Sequence, residues 1–327
     1  MKPFLERLKD PAPLVFDGGF GSQLFARGIE LTNSALANEL HPEAVRAVHA
    51  EYIAAGADII ETNTFVASPL HLRMADRDEA EAEKLARLGA RHARQAAEES
   101  GRRVYVAGAI GPSPGAIEAD GGTDFGIADQ AVREAHQRVM EALAGEGVDF
   151  FCIETMFSAK EAAMAVDVAR RLGLPVAVNL TYKYTKDRRT GAAVYRTDWG
   201  HSAADLLEIL AGGEFSGGEN LLDWVQILGV NCGAEAQRPE HTGMPYAING
   251  IRQLRQALAE RGLSRRLMAY PNAGLPRLDR QTGRTCYSQT PEEMAACIPA
   301  LVSEGAHLVG GCCGTTPAHI RAFRAAL

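Results

Sequence analysis

Eight times along its 327 residues, this chain runs through a short apolar stretch, then glycine or polar residues, then a longer segment with helical spacing. The short stretches are LVFDGG (14–19), ADIIETNTF (57–65), RVYVAGAIGP (103–112), VDFFCIETM (148–156), PVAVNLTY (175–182), LDWVQILGVNC (222–232), RLMAYPNAG (266–274) and AHLVGGCCG (306–314). Between them, EAVRAVHAEYIAAG, the segment 129–147 and AKEAAMAVDVARRLG place apolar residues three and four apart, as amphipathic helices do. Strands apolar on both faces and separated by helices pair in parallel. Eight such units at this length predict one (β/α)8 TIM barrel domain spanning 1–327 rather than an open doubly wound sheet.

In a barrel of this kind the C-terminal ends of all strands meet on one rim, where active sites of the architecture lie. Here those ends read DGG, ETNTF, GPSP, ET, NLTY, GVNC, PNAG and GGCCG. Two long polar segments, 183–200 and 233–244, follow strands and are expected above this rim as lids or docking surfaces. A third, 212–220, follows a helix and belongs at the opposite end.

A formal net charge of −7 gives no broad basic field, which argues against nucleic acid and for small-molecule ligands. The N-terminal stretch interrupts its apolar residues with charge and proline, and no run reaches membrane-spanning length, so the expected location is the cytoplasm. Six cysteines in that reducing compartment point to metal binding or catalysis rather than disulfides.

Cys232 closes the sixth strand, and Cys312 and Cys313 close the eighth, so the barrel brings all three to one rim. Three protein ligands with one open position is the catalytic arrangement of zinc. Adjacent residues of a regular strand face opposite sides, so Cys312 and Cys313 can share an ion only where the chain turns, and Gly310, Gly311 and Gly314 are expected to give that freedom. A redox pair at Cys312 and Cys313 is the other reading, though a vicinal disulfide is strained. Cys152, Cys286 and Cys297 read as small buried hydrophobes. Three thiolates outweigh the charge of Zn2+ and leave a soft, electron-rich centre, suited to keeping a substrate thiolate nucleophilic rather than to hydrolysis.

The strings DGGFGSQL, AGADIIETNTF, GPSP, IET, GVNC, PNAGLP and GGCCGTTPAHI, in this order, resemble the homocysteine S-methyltransferases over essentially the whole length. The resemblance implies a methyltransferase that forms methionine from homocysteine. It also implies that Cys232, Cys312 and Cys313 bind zinc, and that Asp17 and Glu154 hold the substrate ammonium. Asp17 also reads as a turn-forming aspartate, and Glu154 as a solvated strand-end carboxylate. Glu61 and Asn63 end the second strand and are expected to shape the pocket or order nearby loops. The amides of Gly18, Gly19 and the turn at Gly21 are candidates for the substrate carboxylate, beside a purely turn-forming role. None of the nine histidines has paired-ligand spacing.

The strings ETNTF, PNAGLP and GGCCGTTP look closest to the homocysteine-binding module of cobalamin-dependent methionine synthase, which implies a corrinoid protein as one candidate donor. No corrinoid module is expected within this chain, so a small onium compound, S-methylmethionine or betaine, is expected ahead of a separate corrinoid partner. Val66 after Phe65 departs from the aromatic pattern of the betaine-using branch, which weakens betaine without excluding it, since Tyr182, Tyr184, Tyr195 or Trp199 are candidates to supply an aromatic cage from the long loop. A non-catalytic zinc or thiol-binding subunit is the rival of another class. Outer helices that pack against another subunit would make an oligomer.

Overall fold

The computed structural model describes residues 2–121, 126–235, 237–280, 283 and 285–327. Each of the eight apolar runs contains one strand of a single parallel sheet: β1 (Leu14–Val15), β2 (Ile59–Glu61), β3 (Tyr105–Ile110), β4 (Phe150–Met156), β5 (Val176–Leu180), β6 (Val225–Cys232), β7 (Arg266–Pro271) and β8 (Ala306–Val309). The order is β1-β8-β7-β6-β5-β4-β3-β2. The remaining seam lies between β1 and β2, where the Asp58 N–H donates to the Val15 carbonyl at 2.7 Å. The Asp58 carboxylate accepts the Val15 N–H at 2.9 Å, so one side chain supplies the ladder partner this two-residue strand lacks. Asp149 does the same at β3, accepting the Val106 N–H at 2.7 Å.

Two apolar layers follow from the parallel arrangement. Side chains of one parity, among them Phe16, Ile59, Tyr105, Phe150, Met268 and Leu308, fill the barrel interior, while the other parity packs against the outer helices. Helix Phe4–Arg7 plugs the bottom: the Phe4 ring stacks on Phe150 with centroids 4.2 Å apart and planes 5° apart. The outer helices begin where their caps direct. Ser158 accepts from the first-turn amides of helix Ala159–Leu172, and Ser202 forms a reciprocal capping pair with Asp205. In the seventh unit the helix is split into Pro291–Ala296 and Ile298–Ser303, because Pro299 has no N–H to continue the first piece.

The segment 183–200 contains an antiparallel hairpin, Lys183–Lys186 paired with Ala193–Arg196. The segment 233–244, of which Ala236 lies outside the described residues, packs on it: His241 stacks on Tyr184 with centroids 3.8 Å apart and bonds the Tyr195 hydroxyl at 3.0 Å. These two segments therefore form one wall. A further hairpin not anticipated from sequence, Pro276–Leu278 with Thr285–Tyr287, follows β7. Segment 212–220 leads through a 3-10 turn, Leu221–Trp224, into the start of β6, at the end of the barrel opposite the strand C-termini. Among the described residues no helix is long and apolar enough to cross a membrane.

Candidate metal and substrate site

The structure brings the Sγ atoms of Cys232, Cys312 and Cys313 within 4.8 Å of one another. Cys232, the last residue of β6, takes φ +55, and Gly233 follows at φ +110, so the chain leaves the strand through two left-handed residues. Regular strand β8 ends at Val309, although Gly310 and Cys312 still bond to β7; the chain turns beyond Cys312, and the sulfurs of Cys312 and Cys313 lie 3.9 Å apart. Two thiolates on one tetrahedral zinc are about 3.8 Å apart, given Zn–S bonds of about 2.3 Å, so the donor set and its spacing suit that ion. The expected glycine freedom is found only at Gly314, with φ +80. Gly310 and Gly311 serve close approach instead: a Cβ at Gly310 would meet Phe16 Cβ at 2.7 Å, and one at Gly311 would strike the Thr315 side chain.

Asn272, inside the PNAG string but not singled out from sequence, ties the two cysteine segments together. Its N–H donates to the Cys232 carbonyl at 2.9 Å, and its Oδ1 accepts the Cys313 N–H at 3.1 Å. The Cys312 N–H completes the clasp on the Pro271 carbonyl at 2.8 Å. Hydrogen bonds from Cys232 and then Cys312 hold the Cys313 thiol well below the ordinary range, and Tyr287 adds another. The Cys312 thiol is pushed up by its bonds to Cys232 and Cys313 and by burial. The cluster thus favours one negative sulfur before any ion binds. Of the lone cysteines, Cys152 is buried, Cys297 is half-buried, and Cys286 is exposed on the 285–287 strand, contrary to its expected burial.

The cysteines form one wall of a cavity of about 780 Å³ at the C-terminal ends of the strands. Glu154 and Glu61 line it as well, whereas Asp17 lies just behind, its carboxylate accepting the Glu61 N–H at 2.8 Å. Glu154 is held by Asn231 at 3.2 Å and by the Tyr270 hydroxyl at 3.3 Å. Its carboxyl is pushed up to about 8 by burial and then by the neighbouring Asp17 charge. Asp17 and Glu61 are likewise raised, first by burial. Glu61 Oε1 is buried with no protein partner, and no lysine or arginine lines the cavity among the described residues. Three desolvated carboxylates without a cation make a receptor for a cation that the ligand itself brings.

Asn63 also lines the cavity and braces a loop over it, donating to the Ser34 carbonyl at 2.8 Å and to Asn38 Oδ1 at 3.0 Å. Gly18 and Gly19 line it too, but the Gly19 N–H is already committed to the Thr315 hydroxyl at 3.0 Å. Of the four aromatic residues named as candidates for a cage, Trp199 alone lines the cavity; Tyr182 and Tyr195 are buried elsewhere, and Tyr184 is stacked under His241. Phe65 and Phe157, from the ends of the second and fourth units, join Trp199 instead.

Residues 14–327 match the sequence model of the family described as homocysteine S-methyltransferase. The methionine synthase of Mycobacterium tuberculosis is 30% identical over 96% of this chain, which spans only 24% of that protein. Homocysteine S-methyltransferase 1 of Zea mays is 28% identical, with 94% of this chain and 92% of that one covered. The metallated form of the homocysteine methyltransferase MmuM from Escherichia coli superposes with a TM-score of 0.71 at 25% identity, covering 99% of each chain. With the family match running from β1 to the last helix, and thiol-bearing strand ends meeting in one cavity, this chain belongs to the homocysteine S-methyltransferase family.

Proposed function

We propose that this chain, acting as one barrel domain over residues 1–327, transfers a methyl group from a small onium donor to the sulfur of homocysteine, yielding methionine. One observation carries the reading: a wall of three thiols and a group of buried, cation-free carboxylates share one cavity. Homocysteine presents the complementary pair, a thiol and an ammonium group, on one short chain. The metallated form of MmuM supports a bound metal ion at Cys232, Cys312 and Cys313 here, and a set of three thiolates with their sulfurs this close favours zinc. Zinc bound to these thiolates supplies one thing, a lowered proton affinity of an incoming thiol without loss of its nucleophilicity.

The chain's own residues do the rest. Glu154 and Glu61 receive the ammonium, with the Asp17 charge directly behind, and their proton affinities fall as that cation arrives. Amides of the Gly18 to Gly21 turn other than that of Gly19 are left to meet the substrate carboxylate. Asn63 holds the loop that closes this end of the cavity. Trp199, Phe157 and Phe65 offer π faces to the donor's positive charge, and the aromatic walls exclude water from the reacting carbon. Reduced cysteines at such a wall fit the cytoplasm.

A second reading follows from the chain's spanning only 24% of its methionine synthase relative. It makes this chain a homocysteine-activating module that accepts the methyl group from a separate corrinoid protein. Incubation of zinc-loaded protein with homocysteine and, in turn, S-methylmethionine, betaine and methylcobalamin, with methionine as readout, separates the two. Cys232→Ser, Cys312→Ser and Cys313→Ser are expected to lose zinc and turnover together while the barrel stays folded. Full methionine formation after exhaustive chelation, or in any of these variants, rejects the proposal.

A further inference from the structure

We propose that His201 is a positioning residue for the methyl donor: its ring ties the turn that carries Trp199 to the helix that follows Phe157, and so sets the width of the aromatic slot in the cavity wall. The proposal rests on the methyl-transfer reading above, in which those two rings meet the donor's positive charge. Trp199 and Phe157 both line the cavity but belong to different β/α units. An onium group held between π faces needs them at a fixed separation, because the attraction acts within about 6 Å of each ring centroid. Trp199 is 41% exposed, so packing alone does not fix it. What holds its backbone then decides where the indole stands.

The turn is closed locally. The Gly200 N–H donates to the Thr197 carbonyl at 2.9 Å, the Thr197 N–H to the His201 carbonyl at 2.9 Å, and the His201 N–H to Thr197 Oγ1 at 3.2 Å. Lys183 and Asp198 add an ion pair at 2.6 Å, and Arg196 donates to the Gly200 carbonyl at 2.6 Å. These bonds shape the turn without tying it to the fourth unit. That tie comes from the first turn of helix Ala159–Leu172. Its Ser158 cap accepts the Lys160 and Glu161 N–H groups at 3.1 and 3.3 Å, and the Ala159 N–H has no acceptor within the helix. His201 Nδ1 accepts it at 3.1 Å. A backbone N–H can only donate, so this bond requires the neutral ring with its hydrogen on Nε2. Burial, and then the Lys160 charge, lower the His201 pKa against a weaker opposing effect of Asp205, which favours that neutral form. Ala159 stands two residues after Phe157 and His201 two after Trp199, so one hydrogen bond spans the two ring-bearing segments. On its far side the hairpin is anchored separately, through the Tyr195 N–H on Gln253 Oε1 at 3.1 Å.

The test uses zinc-loaded protein carrying Trp224→Phe, a change at the opposite end of the barrel that leaves Trp199 as the only tryptophan. In this background His201→Leu removes the acceptor, His201→Ala removes it with no bulk to misplace, and His201→Asn keeps an acceptor at the δ position. Acrylamide quenching of Trp199 fluorescence is expected to increase in the Leu and Ala variants and to stay at the background level in the Asn variant. The donor KM in methionine formation is expected to rise about three- to tenfold in the first two, as loss of one hydrogen bond gives, and to be restored in the third. The homocysteine KM, kcat and zinc content are expected to hold throughout. Equal quenching in all variants, an Asn variant as impaired as the Leu variant, or a KM rise shared equally by homocysteine and donor overturns the proposal. Turnover with an unchanged donor KM defeats only the positioning role. Absence of methionine with every donor defeats the methyl-transfer reading, whereas the quenching series still decides whether His201 holds Trp199.

Discussion

Asn272 Oδ1 accepts the backbone N–H of Cys313 at 3.1 Å, so a side chain at the end of β7 sets the position of a cysteine beyond the end of β8. The same residue's N–H holds the Cys232 carbonyl, and both thiol-bearing segments are therefore registered on one amide. Asn272→Leu keeps the bulk and leaves the Cys313 N–H unpaired, at a cost of about 1–3 kcal/mol. Zinc affinity is expected to fall by about 10–100-fold, as for other residues that orient ligands from behind. Competition with a chromophoric chelator measures this; an unchanged Kd contradicts it.

Glu154 titrates at about 8 in the free protein, raised by burial and then by Asp17, and an ammonium ligand binds its ionised form. Affinity for methionine, which carries the ammonium but no thiol proton, should therefore strengthen as pH rises toward about 8. Glu154→Gln should bind more weakly and lose that dependence, while zinc content stays the same. Calorimetric titration across this range is the check, and a parallel pH profile in the variant refutes the assignment.

Phe4 is 4% exposed and stacked on Phe150 beneath the barrel, far in structure from the thiols at the opposite rim. Phe4→Ala removes the plug's main apolar contact and should cost about 3–5 kcal/mol of stability. Denaturant melts should show the loss with zinc stoichiometry retained. A midpoint equal to that of the wild type means the helix does not seal the barrel.

His49 is fully buried beside the Phe20 ring, and neither ring nitrogen has a protein hydrogen-bond partner. Burial lowers its pKa from 6.5 to about 3, so between those values the unfolded chain binds the proton and the folded one does not. The stability contributed by the neutral ring is complete above about 6.5 and drains away as pH falls toward 3. His49→Leu should flatten this part of the acid-unfolding curve. An acid midpoint at the same pH in both proteins argues that another group controls it.

The fold was legible because its signals are local. Each apolar run of β1 to β8 is short and each helical stretch keeps its period, so the eight units and their rim follow from patterns within some twenty residues. Cys232, Cys312 and Cys313 stand at strand ends for the same reason, and the barrel then brings their sulfurs within 4.8 Å. Trp199 and the tyrosines 182, 184 and 195 were indistinguishable by such signals. Which of them reaches the cavity depends on how the 183–196 hairpin rests on His241, and nothing near any of the four encodes that.

From sequence alone came the number of strands, the parallel closure, the rim on which polar ends gather and the placement of three sulfurs at two of those ends. Only the tertiary structure decided that Asn272 clasps both cysteine segments, that the Tyr287 ring lies against Gly314, that Asp17 stands behind Glu61 rather than in the cavity wall, and that Thr315 occupies the Gly19 amide from 296 residues away. Strand and helix periodicity is written by neighbours along the chain. These contacts join segments from different β/α units, and their partners exist only once the barrel has closed and buried polar groups must each find one.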